Sequence, residues 1–141
     1  AALAGRGNLL RKKRILFVDD EPNILSGLKR MLRSMRKEFD LQFAGSGMEA
    51  LNSMAAHESD IVVSDMRMPG MDGAELFAII KERYPSAVRI MFTGQADQES
   101  VLRTVGVVHQ FLAKPCDPDL LRSVLLRAGT LHRLVSDTSI C

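Results

Sequence analysis

Two hydrophobic periods alternate along the chain. Short apolar runs, of the kind that fill a strand buried on both faces, recur at Arg14–Val18 (RILFV), Leu41–Ala44, Asp60–Ser64 (DIVVS), Val88–Phe92 (VRIMF) and Val108–Ala113 (VHQFLA). Between them, apolar side chains return every three or four positions, the spacing of a helix with one buried face. Ile24, Leu25, Leu28, Met31, Leu32 and Met35 form the first such series, and Leu120, Leu121, Val124, Leu125 and Ala128 the last. The boundaries carry their own signals. Pro22 suits a first helical turn, and Ser46-Gly47-Met48-Glu49 has the form of a capping box opening a helix to about Ala56. Asp72 and Glu75 cap a helix whose inner face includes Leu76, Phe77 and Ile80, with Pro85 beyond its end. Asp117-Pro118 opens the last helix. A helix over about Asp97–Val105 is the weakest of the set, because β-branched residues and Gly106 oppose it.

Five alternations of this kind predict an α/β domain, a parallel sheet with helices on both faces and right-handed crossovers. The domain spans 14–129, with a flexible basic leader over 1–13 and a C-terminal extension or linker toward an output domain over 130–141. No internal repeat or second core interrupts it.

Composition narrows the class. With 141 residues, 46% hydrophobic and 26% charged, the chain has the profile of one globular domain. No apolar stretch approaches the roughly 20 residues that span a bilayer, and the N-terminus lacks the apolar segment of a signal peptide. The net charge of +2 is uneven: five of the 19 basic residues lie within residues 1–14, leaving 14 against 17 acids elsewhere. That places positive charge on a tail rather than on a folded face, so direct nucleic-acid binding is not expected. Cys116 and Cys141 have no metal-ligand spacing and read as reduced thiols of a cytoplasmic protein.

The polar residues that end the apolar runs carry the chemistry. Asp19 and Asp20 follow the first strand, Asp65 the third, Thr93 the fourth and Lys114 the fifth. In an open parallel sheet these positions share one rim, where ligands bind. Carboxylates gathered there repel one another unless a cation joins them, and an oxygen-only site of this size suits Mg²⁺. Lys114 can pair with a carboxylate or with a phosphate oxygen.

The segments ILFVDDEPNIL, IVVSDMRMPGMDG, IMFTG and FLAKP resemble the signature segments of the response-regulator receiver domain of two-component signalling, over about residues 14–128. The resemblance implies a doubly wound, flavodoxin-like fold with the strand order 2-1-3-4-5 of its chemotaxis members. It implies that Asp65 is the phospho-accepting aspartate. Asp20 would ligate Mg²⁺ directly, with Mn²⁺ as a substitute, Asp19 would act largely through water, and the main-chain carbonyl of Arg67 would be a further ligand. Thr93 and Lys114 would contact the phosphoryl group, Thr93 and Phe111 would form the switch, and the Lys114–Pro115 bond would be cis. Arg67 and Gln95 depart from the commonest pattern and are expected to tune phosphoryl lifetime. The implied partners are a sensor histidine kinase or phosphotransfer protein, a second copy through the fourth helix, fifth strand and fifth helix, and a covalently linked output domain. Wording such as FTGQADQESVLRTVG is similar to receivers joined to HD-type phosphodiesterase outputs.

Two other readings compete. A phosphohydrolase with an aspartate nucleophile would carry Asp-x-Asp after the first strand, where this chain has Asp-Asp-Glu-Pro. A receiver-like interaction module that is never phosphorylated would not need all five key positions, which are filled here. His57, His109 and His132 show no convergence and are expected to be structural. Met66, Met68 and Met71 are expected to pack the loop after Asp65 rather than to form a contact surface.

Overall fold

The computed structural model describes residues 12–140, with side chains as far as His132. The rest of the basic leader and Cys141 lie outside the described residues. Five parallel strands, β1 (Lys13–Val18), β2 (Phe39–Ala44), β3 (Ile61–Asp65), β4 (Val88–Thr93) and β5 (Gln110–Ala113), form one sheet in the order β2-β1-β3-β4-β5. The helices are α1 (Pro22–Met31), α2 (Gly47–Ala56), α3 (Gly73–Arg83), α4 (Gln98–Val101) and α5 (Pro118–Ile140). This is the doubly wound order, and it puts β1 and β3 at the centre, where the direction of winding reverses.

The period-2 alternation of the strands divides the core. Ile15 and Phe17 of β1, with Ile61 and Val63 of β3, face Leu28 and Leu32 on one side and Leu121, Val124 and Leu125 of α5 beside them. Leu16, Val18 and Val62 face the opposite side, against Met54 of α2 and Leu76, Phe77 and Ile80 of α3. Met66 and Met68 are buried in this second layer, so they pack the loop.

Capping follows local chemistry. Ser46 Oγ accepts from the Glu49 amide at 3.1 Å, while Glu49 reaches back to the amide of Gly45, one residue before the cap. Asp72 accepts from the Glu75 amide at 2.9 Å and starts α3. Gly73 beside it is required by close approach. A Cβ there would stand 2.5 Å from the main-chain oxygen of Asp65 and 3.1 Å from Cα of Met66. Gly73→Ala is expected to cost about 2 kcal/mol by forcing backbone apart. The cost is read as a lower urea midpoint at unchanged slope; an unchanged midpoint would show that the loop yields freely.

Three elements differ from the pattern reading. β2 begins at Phe39, two residues earlier than the apolar run, because an edge strand accepts Asp40, whose carboxylate pairs with Arg14 Nε at 3.1 Å. The helix expected over Asp97–Val105 is a single α-turn flanked by 3₁₀ turns at Gln95–Asp97 and Leu102–Thr104. Thr104 Oγ1 donates to the Val101 carbonyl at 2.7 Å, a local bond that competes with the helical ladder. The Val108 amide bonds back to Thr104, which delays β5 to Gln110. The last helix, α5, runs without a break through residue 129 to Ile140.

The histidines do not converge: His57 is exposed, and the other two hold neighbouring elements in place. His109 Nδ1 accepts from the Arg89 amide at 2.9 Å. His132 is buried at the base of the sheet, between Lys13 Nζ at 2.9 Å and Asp60 at 3.4 Å, and fastens α5 to the entries of β1 and β3. Burial pushes its imidazole below the ordinary range, with Asp60 opposing and Lys13 reinforcing the shift.

Candidate functional site

The rim at the carboxyl ends of β1, β3, β4 and β5 gathers the polar residues. Asp65 is the last residue of β3 and 8% exposed. Asp19 is buried just past β1; its amide bonds to the Ala44 carbonyl, and its Oδ1 accepts from the Glu21 amide at 2.9 Å. Carboxylate oxygens of Asp19, Asp20 and Asp65 all lie within 4.8 Å of one another. Lys114 Nζ stands 2.7 Å from Asp65 Oδ1, and the Lys114 amide donates to the Thr93 carbonyl at 2.9 Å, holding the end of β5 against β4. The Lys114–Pro115 bond is cis.

This cluster is electrostatically unsatisfied. Burial pushes the Asp19 carboxyl above the ordinary carboxylate range; the Glu21 amide opposes that, and the charges on Asp65 and Asp20 reinforce it against Lys114. Three acids facing one lysine form an oxygen-donor set that a hard divalent cation would complete, so the residues present fit Mg²⁺.

A cavity of about 700 Å³ opens above Asp65, lined among others by Asp20, Arg67, Gln95, Asp97, Arg103 and Lys114. Thr93 ends β4, partly buried, and is not among the residues that line the cavity, although Gly94 beside it is. Phe111, partly buried and in register with Met91, packs on the core layer of α2 and α3. Gln95 is exposed at the mouth. Arg67 is no free loop side chain: its Nε donates to Asp97 at 2.6 Å and Nη2 to the Ala96 carbonyl at 2.8 Å.

Asp97 is the residue that pattern reading passes over, as a helix-start acid. It is 4% exposed and also accepts from the Gly94 amide at 2.7 Å. Burial alone would raise its proton affinity, but the Gly94 amide and Arg67 outweigh that and hold its carboxyl below the ordinary range. Its position four residues after Thr93 was the one available signal.

Residues 15–126 match the response regulator receiver domain family, which is most of the chain. The chain belongs to that family. Over 129 residues the receiver is 32% identical to the hydrogenase transcriptional regulatory protein HoxA of Cupriavidus necator, covering 85% of this chain and 26% of that protein. Over 108 residues it is 37% identical to the transcriptional regulatory protein GlrR of Escherichia coli, covering 76% of this chain and 24% of that one. It thus spans about a quarter of the length of these relatives. Among solved structures, the signal receiver domain of an HD domain-containing protein from Pseudomonas fluorescens superposes with a TM-score of 0.82 at 33% identity, covering 87% of this receiver and 98% of that chain. Among the described residues, no helix is long and apolar enough to cross a membrane.

Proposed function

We infer that this receiver accepts a phosphoryl group on Asp65 from a histidine kinase or phosphotransfer protein of the cytoplasm. The observation that carries the reading is the Lys114 ammonium seated on Asp65 inside a triad of carboxylates. Asp65 Oδ attacks the phosphorus of a phosphohistidine, the N–P bond breaks, and the imidazole leaves with a proton. The new acyl phosphate persists until water attacks it, returning the carboxylate and inorganic phosphate. Asp20 and Asp65, the Arg67 carbonyl and, through water, Asp19 would hold Mg²⁺ or Mn²⁺. When bound, the ion supplies positive charge that offsets the carboxylates and the transferring oxygens. Lys114 follows the phosphoryl oxygens as an ion pair, and Asp19 keeps its orientation through the Glu21 amide.

Phosphorylation adds nearly two negative charges at the rim. Thr93 turns its hydroxyl toward them, and Phe111 moves into the space vacated. The surface of α4, β5 and α5 changes as a result and meets a second copy or an output domain. HoxA and GlrR are transcriptional regulatory proteins, which makes a transcriptional output one candidate, and the HD domain-containing neighbour makes an HD-type output another. Arg67 and Gln95 flank the approach of water and set phosphoryl lifetime.

Lys114→Ala tests the coupling. The variant should still take up phosphate from acetyl phosphate, more slowly, yet its dimerisation by sedimentation should be the same before and after phosphorylation. Equal switching in wild type and variant would remove Lys114 from that role.

A further inference from the structure

Two ion pairs cross the mouth of the cavity in opposite senses. Asp97, in the segment after β4, uses Oδ2 to accept from the Gly94 amide and Oδ1 to accept from Arg67, which belongs to the loop after β3. Asp72, in the loop after β3, uses Oδ1 to accept from the Glu75 amide and Oδ2 to accept from Arg103 at 3.3 Å, which belongs to the segment after β4. Each carboxylate therefore caps its own backbone with one oxygen and grips the opposite segment with the other. The two straps are unequal. Arg103 and Asp72 are 59% and 24% exposed, so water competes for that pair. The Asp97 side chain is 5% exposed, and Arg67 is the cation paired with it.

The next step rests on the reading above, in which Thr93 moves toward the phosphoryl group. Gly94 follows Thr93 directly, its amide is held by Asp97, and Asp97 is held by Arg67. Drawing Thr93 inward pulls on that chain of contacts. We propose that Asp97 is a positioning residue that, through Arg67, anchors the segment after Thr93 in its resting place and so opposes phosphorylation-driven switching. A contact made only in the resting state subtracts from binding to the switched state, so removing it strengthens binding.

The test is Mg²⁺-dependent binding of fluoroberyllate, a phosphoryl mimic, to wild type, Asp97→Asn, Arg67→Gln and the double variant. Asparagine keeps an acceptor for the Gly94 amide, loses the charge and turns an NH2 donor, in place of an acceptor, toward Arg67. Each single variant should bind about fivefold more tightly, the lower end of common coupling between sites. The double variant should bind no more tightly than either single, because both break the same strap. A pair that serves stability alone would lower the thermal midpoint with no gain in affinity. Arg67 is 65% exposed, so Arg67→Gln carries the test by itself if Asp97→Asn does not fold. Unchanged or weaker binding by Arg67→Gln overturns the proposal, whatever Asp97→Asn does. Wild type that binds no fluoroberyllate removes the phosphoacceptor reading as well, a different outcome from normal wild-type binding without a gain in the variants.

Discussion

Asp65→Asn abolishes acid-labile labelling by acetyl phosphate in the presence of Mg²⁺. The expectation rests on chemistry rather than on shape. Asparagine matches the size of aspartate and keeps one acceptor for Lys114, but an amide does not form an acyl phosphate. The two neighbouring carboxylates do not replace it: Asp19 is buried and committed to the Glu21 amide, and Asp20 is the more solvent-facing member of the cluster. Loss of label would not reflect unfolding, because the substitution removes one of three mutually repelling acids. A thermal midpoint no lower than that of wild type is the control. Label persisting at wild-type stoichiometry would place the acceptor elsewhere.

Chelation is the second large effect. With EDTA, uptake of phosphate should fall to background, and added Mg²⁺ or Mn²⁺ should restore it. Without a cation, Asp19, Asp20 and Asp65 face a single Lys114, and an anionic phosphodonor meets net negative charge at the rim. The same site predicts a stability change that does not depend on chemistry. A cation bound only by the folded protein stabilises it by about 1.4 kcal/mol at ten times its dissociation constant. A midpoint that rises with Mg²⁺ in wild type and rises less in an Asp20→Asn variant would support the site. Undiminished labelling in EDTA would remove the metal from the account.

Much of this was legible before any coordinates. Buried parallel strands must be apolar along their length, so the residue that ends each run is conspicuous, and the sheet delivers those residues to one rim. Asp65 and Lys114 stand out for that reason, 49 positions apart in sequence and 2.7 Å apart in space. What escaped has physical reasons too. The partnership of Arg67 with Asp97 leaves no periodic trace, because it joins two loops whose approach depends on the fold of everything between them. Arg89, inside an apolar strand, is buried, with its guanidinium held by the carbonyls of Val107 and Ala87, groups that no sequence pattern displays. The helix expected over Asp97–Val105 shortens to one α-turn because Thr104 bonds back to its own backbone, a contact that propensity alone does not display.

The fastening of α5 at the foot of the sheet has a mechanical consequence. His132 clamps the helix to strand entries that lie opposite the reactive rim, while the same helix begins only four residues after Lys114. Its 23 residues make a rod of about 35 Å. With His132 as the anchor, about 21 Å of it lie toward the rim and about 12 Å beyond the clamp. Leu121, Val124, Leu125 and Ala128 bury the stretch between the rim and the clamp, so this helix shifts only together with the core layer it packs on.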